Sequence, residues 1–301
     1  MSLLAEAFPR LAFIRRLPLV RDQAMLLMAA VNEVFLSIDI YLAHSISGTI
    51  TAREWIPIVF GPLAGVLLIS AGLLSLRRRT AANLLATSVL LASIAVGLLG
   101  AYFHFVRAVL PSAAPGERVS IDLLVWAPPL LGPLTFSLVG LLGISAAWPE
   151  HPLASGILTL PGSRRLHLPY SKTRAYFFMI GLGILATLIS SVLDHARAQF
   201  VNPWLWVPTG AGVLGVLVAV GMGAIERPAR GDVAVFLGTM GLLILVGATG
   251  SGLHVRDNLT SMGVIIGERF LRGAPFLAPL LFADMGTLGI LILLEPSSEA
   301  P

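Results

Sequence analysis

The sequence predicts an all-α integral membrane protein with eight transmembrane helices arranged as two tandem four-helix repeats. Three observations carry this. The 301 residues are 56% apolar and only 12% charged, with a mean hydropathy of +0.88. Continuously apolar runs of about twenty residues, the length that crosses a hydrocarbon core as a helix, recur eight times. Finally, the second half of the chain repeats the first. The runs do not alternate apolar with polar residues, so a membrane β-barrel is not indicated.

The elements follow in order. Residues 1–23 read as an amphipathic segment at the cytoplasmic face, with Leu3, Leu4, Phe8 and Leu11 among Arg10, Arg15 and Arg16. It lacks the short apolar core and small-residue cleavage site of a removable signal peptide. Repeat 1 occupies 24–147, with spans at about 24–44, 54–75, 81–106 and 124–147. A linker at 148–173, rich in Pro, Gly and basic residues, separates it from repeat 2 at 174–295, whose spans lie at about 175–195, 204–224, 232–254 and 273–294. Residues 296–301 form a tail. Four spans per copy makes the copies parallel, related by an axis along the membrane normal. The stretch 260–270 has helical apolar spacing and is expected to form a surface helix. Prolines 57, 62, 129, 133, 208, 275 and 279 all fall in the outer halves of even-numbered spans, where they are expected to kink the helices.

Charge sets the orientation. Thirteen basic residues (Arg10, Arg15, Arg16, Arg21, Arg77, Arg78, Arg79, Arg164, Arg165, Lys172, Arg174, Arg227, Arg230) flank one side. Seven (Arg53, Arg107, Arg118, Arg197, Arg256, Arg269, Arg272) flank the other. The positive-inside rule places both termini and the linker in the cytoplasm of a bacterial-type inner or plasma membrane. The pI of about 10.1 reflects these flanks. No basic stretch is interleaved with exposed aromatics, so nucleic acid is not an expected partner; the bilayer and other membrane subunits are. With no cysteine, disulfides, iron–sulfur clusters, covalently attached haem and thiolate copper sites are excluded.

The repeat carries histidines at matched places. Gly97, Gly100 and His104 recur 150 positions on as Gly247, Gly250 and His254; His44 recurs 151 positions on as His195. Gly116-Glu117-Arg118 recurs as Gly267-Glu268-Arg269, and the block from Ala127 to Leu134 answers Gly273 to Leu280 at an offset of 146. All four histidines lie 20–23 residues into their spans, within one turn of a common level under the outer interface. Facing imidazoles on two helices of a four-helix bundle suit axial ligation of one or two b-type haems. The glycines share a helix face with their histidine at four and seven residues. They offer either a smooth strip for a macrocycle or small-residue helix contacts. Arg118 and Arg269 suit haem propionates, or snorkel at the interface. The rival chemistry is a Cu or Zn ion on the same four histidines, with Glu54, Asp39 or Asp194 nearby. A third reading is purely structural. His151 and His167 read as solvated linker residues.

Glu33, midway along span one, and Asp284, midway along span eight, are ionisable groups at a depth where such groups are paired or functional. They are candidates for a proton relay, and Asn32 for a hydrogen-bonding partner. No nucleophile–base pair or phosphate-binding loop stands out, so catalytic residues stay unassigned. The layout of two four-helix halves with two histidines each, spaced by 60, 91 and 59 positions, is similar to that of haem A synthases. The likeness is confined to layout: Tyr41 and Val192 stand three residues before the first histidine of each half, where that family carries a glutamate, and its outer-loop cysteine pair is missing. As a whole the sequence points to a haem protein for electron transfer or anchoring within a respiratory or oxidative complex. The alternatives are a metal or small-solute transporter with a site between the repeats, or a cofactor-free accessory subunit.

Overall fold

A computed structural model describes residues 3–10, 20–45, 48, 50–110, 113–126, 128–260, 263, 265 and 273–294. The chain is helical, and six helices are long and apolar enough to cross a membrane. The elements are α1 (Leu3–Ala7), α2 (Arg21–Ser45), α3 (Trp55–Ser75), α4 (Arg79–Ala108), α5 (Ile121–Trp126), α6 (Leu131–Ala147), β1 (Ile157–Thr159), β2 (Arg165–His167), α7 (Lys172–Arg197), α8 (Trp206–Ala224), α9 (Arg230–Thr260) and α10 (Leu280–Ile292).

Local chemistry explains several boundaries. Ser171 caps α7 by accepting from the Arg174 amide. The side chains of Gln23, Glu54 and Asp232 each reach back to a backbone N–H three residues earlier (Val20, Thr51 and Ala229), satisfying donors at the entries of α2, α3 and α9. At the far end of α8, Arg174 donates to the carbonyls of Gly223 and Ala224, matching a cation to the negative end of that helix.

The two shorter apolar helices correct the expected spans four and eight. The apolar runs predict continuous spans from 124 and 273, but α6 begins at Leu131 and α10 at Leu280. Prolines 128, 129, 275 and 279 cluster just before these starts. Proline lacks the donor and restrains the residue before it, so here it stops the helix instead of kinking it. The 17 residues of α6 span about 25 Å and the 13 of α10 about 20 Å. The linker also departs from a pure helical reading, since β1 and β2 pair as an antiparallel hairpin; His151 and His167 are exposed in it. The expected surface helix at 260–270 lies almost wholly outside the described residues.

Packing order builds two rings. In the first, α2 packs on α3, α3 on α4, α4 on α6, and α6 returns to α2. In the second, α7 packs on α8, α8 on α9, α9 on α10, and α10 returns to α7. The rings join where α6 meets α7 and α10 meets α2. Each ring has its own apolar core, around Leu90 and Phe136 in the first and Ile184, Phe236 and Leu243 in the second. Instead of lying apart at an interface, α1 docks on the second core: Leu4 is buried, and its amide donates to the Leu293 carbonyl.

A buried ionic cluster ties the rings to the linker at the end opposite the histidines. Lys172 Nζ lies 2.8 Å from Asp22 and donates to the Trp148 carbonyl, while Arg21 bonds Asp22 and Thr173. Glu150 accepts from the Gly156 and Lys172 amides. Arg21 and Lys172 are 1% and 0% exposed, so these two members of the basic flank are not solvated. Their charges are balanced by Asp22 and Glu150, as burial at this depth requires.

Candidate functional site at the histidine ends of the two rings

Ring order places α2 diagonally across from α4, and α7 across from α9. The histidines therefore project from opposed helices. In the first ring the His44 and His104 imidazole centroids are 6.2 Å apart with ring planes at 83°. Both rings are oriented through Nδ1. His44 Nδ1 donates to the Ile40 carbonyl at 3.0 Å and His104 Nδ1 to the Pro129 carbonyl at 2.9 Å. A carbonyl only accepts, so Nδ1 carries the hydrogen and Nε2 is the basic nitrogen in each ring. Such an anchor is the usual support of a metal-bound imidazole.

The second ring repeats part of this. His254 Nδ1 donates to the Pro275 carbonyl at 3.0 Å, the counterpart of Pro129. His195 Nδ1 contacts Ser191 Oγ at 3.5 Å, and its ring packs edge-on against Phe200, which stacks on Trp206. All four histidines are half-buried.

Carboxylates and arginines flank both pairs. Glu54 sits beside His44 and 3.6 Å from Arg107. Burial opposes its ionisation, but the Thr51 amide, the His44 imidazole and Arg107 together hold the Glu54 carboxyl below the ordinary carboxylate range. In the second ring Asp194 lies 3.7 Å from Arg197, and Arg197 also donates to the Val125 carbonyl. Arg118 Nε donates to the Ala113 carbonyl in its own loop. Arg269 lies outside the described residues.

The four glycines are occupied by helix packing. A Cβ on Gly97 would meet the Ser137 amide nitrogen at 2.6 Å and the Pro133 carbonyl at 2.9 Å; one on Gly247 would meet the Ala283 nitrogen at 2.6 Å and the Pro279 carbonyl at 2.7 Å. Gly100 and Gly250 close on Pro133 and Pro279. Of the two readings of these glycines, small-residue contact describes their surroundings: they let α6 and α10 approach α4 and α9 until backbones touch.

One layer deeper lies a polar pair that sequence reasoning found only by half. Glu33 and Ser93 each precede their histidine by eleven residues, three turns and about 16 Å down the same helix face. Both are fully buried. The Ser93 hydroxyl lies 2.5 Å from Glu33 Oε1 and 2.9 Å from the Phe136 carbonyl. Ser93 was visible only as the residue at Glu33's own offset from a histidine. The other candidate acid, Asp284, receives both its contacts from Asn32 across the ring junction, at 3.1 and 3.0 Å. Glu33 and Asp284 thus sit in separate networks and do not touch. Among the described residues no three His, Cys, Asp or Glu side chains are grouped as metal ligands. Set against protein-family models, the curated proteins and the solved structures, the chain matches none of them.

Proposed function

We propose that this protein is an internally duplicated eight-span membrane protein. In this reading paired histidines hold b-type haem near the outer face, for electron transfer within a larger membrane complex. The observation that carries the reading is the His44–His104 pair. Two metal–nitrogen bonds of about 2.0–2.1 Å plus two ring radii separate imidazole centroids by roughly 6 Å, and here they stand 6.2 Å apart with Nδ1 anchored on both rings. Haem suits the pair better than a bare Cu or Zn ion. A haem iron brings four nitrogens and asks two of the protein, whereas a bare ion asks for three or four, and no such group is assembled among the described residues. When bound, haem would supply a one-electron carrier. The chain's own part is to orient Nε2, keep the pair beneath the interface, and hold Arg107 and Arg197 close by.

The filled glycines narrow the fit, because the macrocycle would find no glycine strip beside His104 or His254 and would need room from other side chains. Duplication is supported by the matching anchors, His104 on Pro129 and His254 on Pro275. The orientation, with termini and linker cytoplasmic, rests on the arginine bias.

The test is the absorption spectrum of the purified full-length protein, oxidised and reduced, with metal analysis. We expect a six-coordinate low-spin haem spectrum at one or two haems per chain, lost from the first ring in His104→Ala. A colourless protein carrying stoichiometric copper or zinc would replace haem by a bare ion. A colourless, metal-free protein from haem-replete cells would overturn both.

A further inference from the structure

Where the two rings meet, α2, α6, α7 and α10 line a partly open cavity of about 430 Å³, within the range that holds a small organic ligand. Its walls are hydrocarbon, supplied by side chains such as Met28, Phe35, Leu138, Leu182 and Leu281. Five of the polar side chains that line it are Asn32, Asp39, Thr135, Thr187 and Asp284, with Ser137 at the edge of the first core.

The hydrogen inventory of this lining is one-sided. Each hydroxyl has a single hydrogen, and all three are already committed to backbone: Thr135 to Gly132, Thr187 to Gly183 and Ser137 to Ile94. What they turn to the cavity is lone pairs. Asp284 takes the Asn32 amide on both carboxyl oxygens and retains further acceptor sites. Asp39 lines the same space and makes no hydrogen bond or ion pair among the described residues. It lies seven residues beyond Asn32, on the same face of α2 and about 10 Å further along the axis. The cavity is therefore apolar in bulk with acceptors at two levels. A carboxyl without a partner in such surroundings is costly.

We propose that this junction cavity binds a lipophilic molecule whose head group donates hydrogen bonds, an alkylammonium or a phenolic hydroxyl, with the head at Asp39 and the chain along Phe35 and Leu182. The site is separate from the histidine pairs and stands whether or not they hold haem.

Photo-crosslinking tests it on the full chain in lipid nanodiscs. The probe is dodecylamine with a diazirine in its tail, and the products are mapped by peptide mass spectrometry. Labelling is expected on α2, α6, α7 and α10 at the residues named, reduced at least tenfold by Asp39→Asn. Ala186→Phe, which fills the same space from α7 without altering a charge, is expected to abolish it, and serves alone where the Asp39 variant does not fold. Competition by unlabelled dodecylammonium but not decylhydroquinone identifies a cationic head; competition by both identifies any donor. Labelling spread evenly over lipid-facing helices, indifference to both variants, or equal competition from dodecyl methyl ether, which has no donor, would overturn the proposal.

Discussion

The two rings share a plan and differ in what fills it. At the histidine level both present an imidazole anchored on a proline carbonyl, yet His44 faces His104 with Glu54 alongside, whereas His195 packs against Phe200. The contrast grows one layer down. The first ring buries Glu33 on Ser93; the corresponding positions in the second are Ile184 and Leu243, both fully buried hydrocarbon. One backbone arrangement thus supports a polar interior and an apolar one. The helix contacts that set the architecture are therefore independent of the buried Glu33–Ser93 pair, whose positions are hydrocarbon in the second ring.

The sharpest way to break this comparison is at the contacts both rings share. Gly97→Ala and Gly247→Ala each drive a Cβ into backbone atoms, which cannot swing aside as a side chain tip would. Each is expected to cost about 3 kcal/mol, the upper part of the usual range for overpacking. Thermal unfolding of the cofactor-free protein in detergent reads this directly. Equal losses in the two variants support a common packing role; an unchanged midpoint in either would return that glycine to the cofactor.

A smaller effect separates the interiors. Ser93→Ala removes the hydrogen-bonding partner of a fully buried carboxyl and is expected to cost about 1–3 kcal/mol. Replacing both groups by hydrocarbon of similar size, as Glu33→Met with Ser93→Ala, should be nearly neutral, because both polar groups leave together. A double-mutant cycle on unfolding free energies measures the coupling. If the double variant is as unstable as the sum of the singles, the pair is not a self-contained unit.

The smallest effect concerns pH at the histidine level. The Glu54 carboxyl is held below its ordinary range in the folded protein. Its contribution is then fully present above the unfolded carboxylate value and is lost as pH falls through the lower, folded one. The second ring has Leu205 at this place. Glu54→Gln should flatten the acid limb of stability by about 1 kcal/mol or less, since Arg107 is largely exposed. Urea titrations at several acidic pH values check this, and an unaltered acid limb would remove Glu54 from the account.

Much of this plan was legible in the sequence. Apolar runs located the six long helices to within a few residues, and the repeated Gly-x-x-Gly-x-x-x-His blocks identified elements that do take equivalent contacts. What escaped was whatever depends on partners distant in the chain. Asp22 and Lys172 stand at the starts of helices in different halves, and a basic residue beside a membrane helix reads as a solvated flank until its carboxylate is seen against it. The glycine strips were ambiguous for a related reason: periodicity gives the face, not what covers it, and the neighbour proved to be α6 or α10. Asp284 found Asn32 across the junction of the rings, a contact between residues 252 positions apart. The proline clusters are plain in the sequence, but whether they bend a helix or end it depends on backbone bonds that no composition records.

The contacts at the starts of α2 and α7 bear on the history of the chain. The offset of 151 that relates His44 to His195 makes Lys172 the counterpart of Arg21 and Thr173 the counterpart of Asp22. Lys172 reaches Asp22 while Arg21 reaches Thr173, so each contact crosses from one position to its neighbour in the other half. If the halves descend from one ancestral unit that paired with itself, a cation followed by an aspartate would have met its copy in two equivalent ion pairs. The second half holds threonine where that aspartate would stand. Expressed as separate polypeptides, the first half should be able to pair with itself, and the second half should need the first.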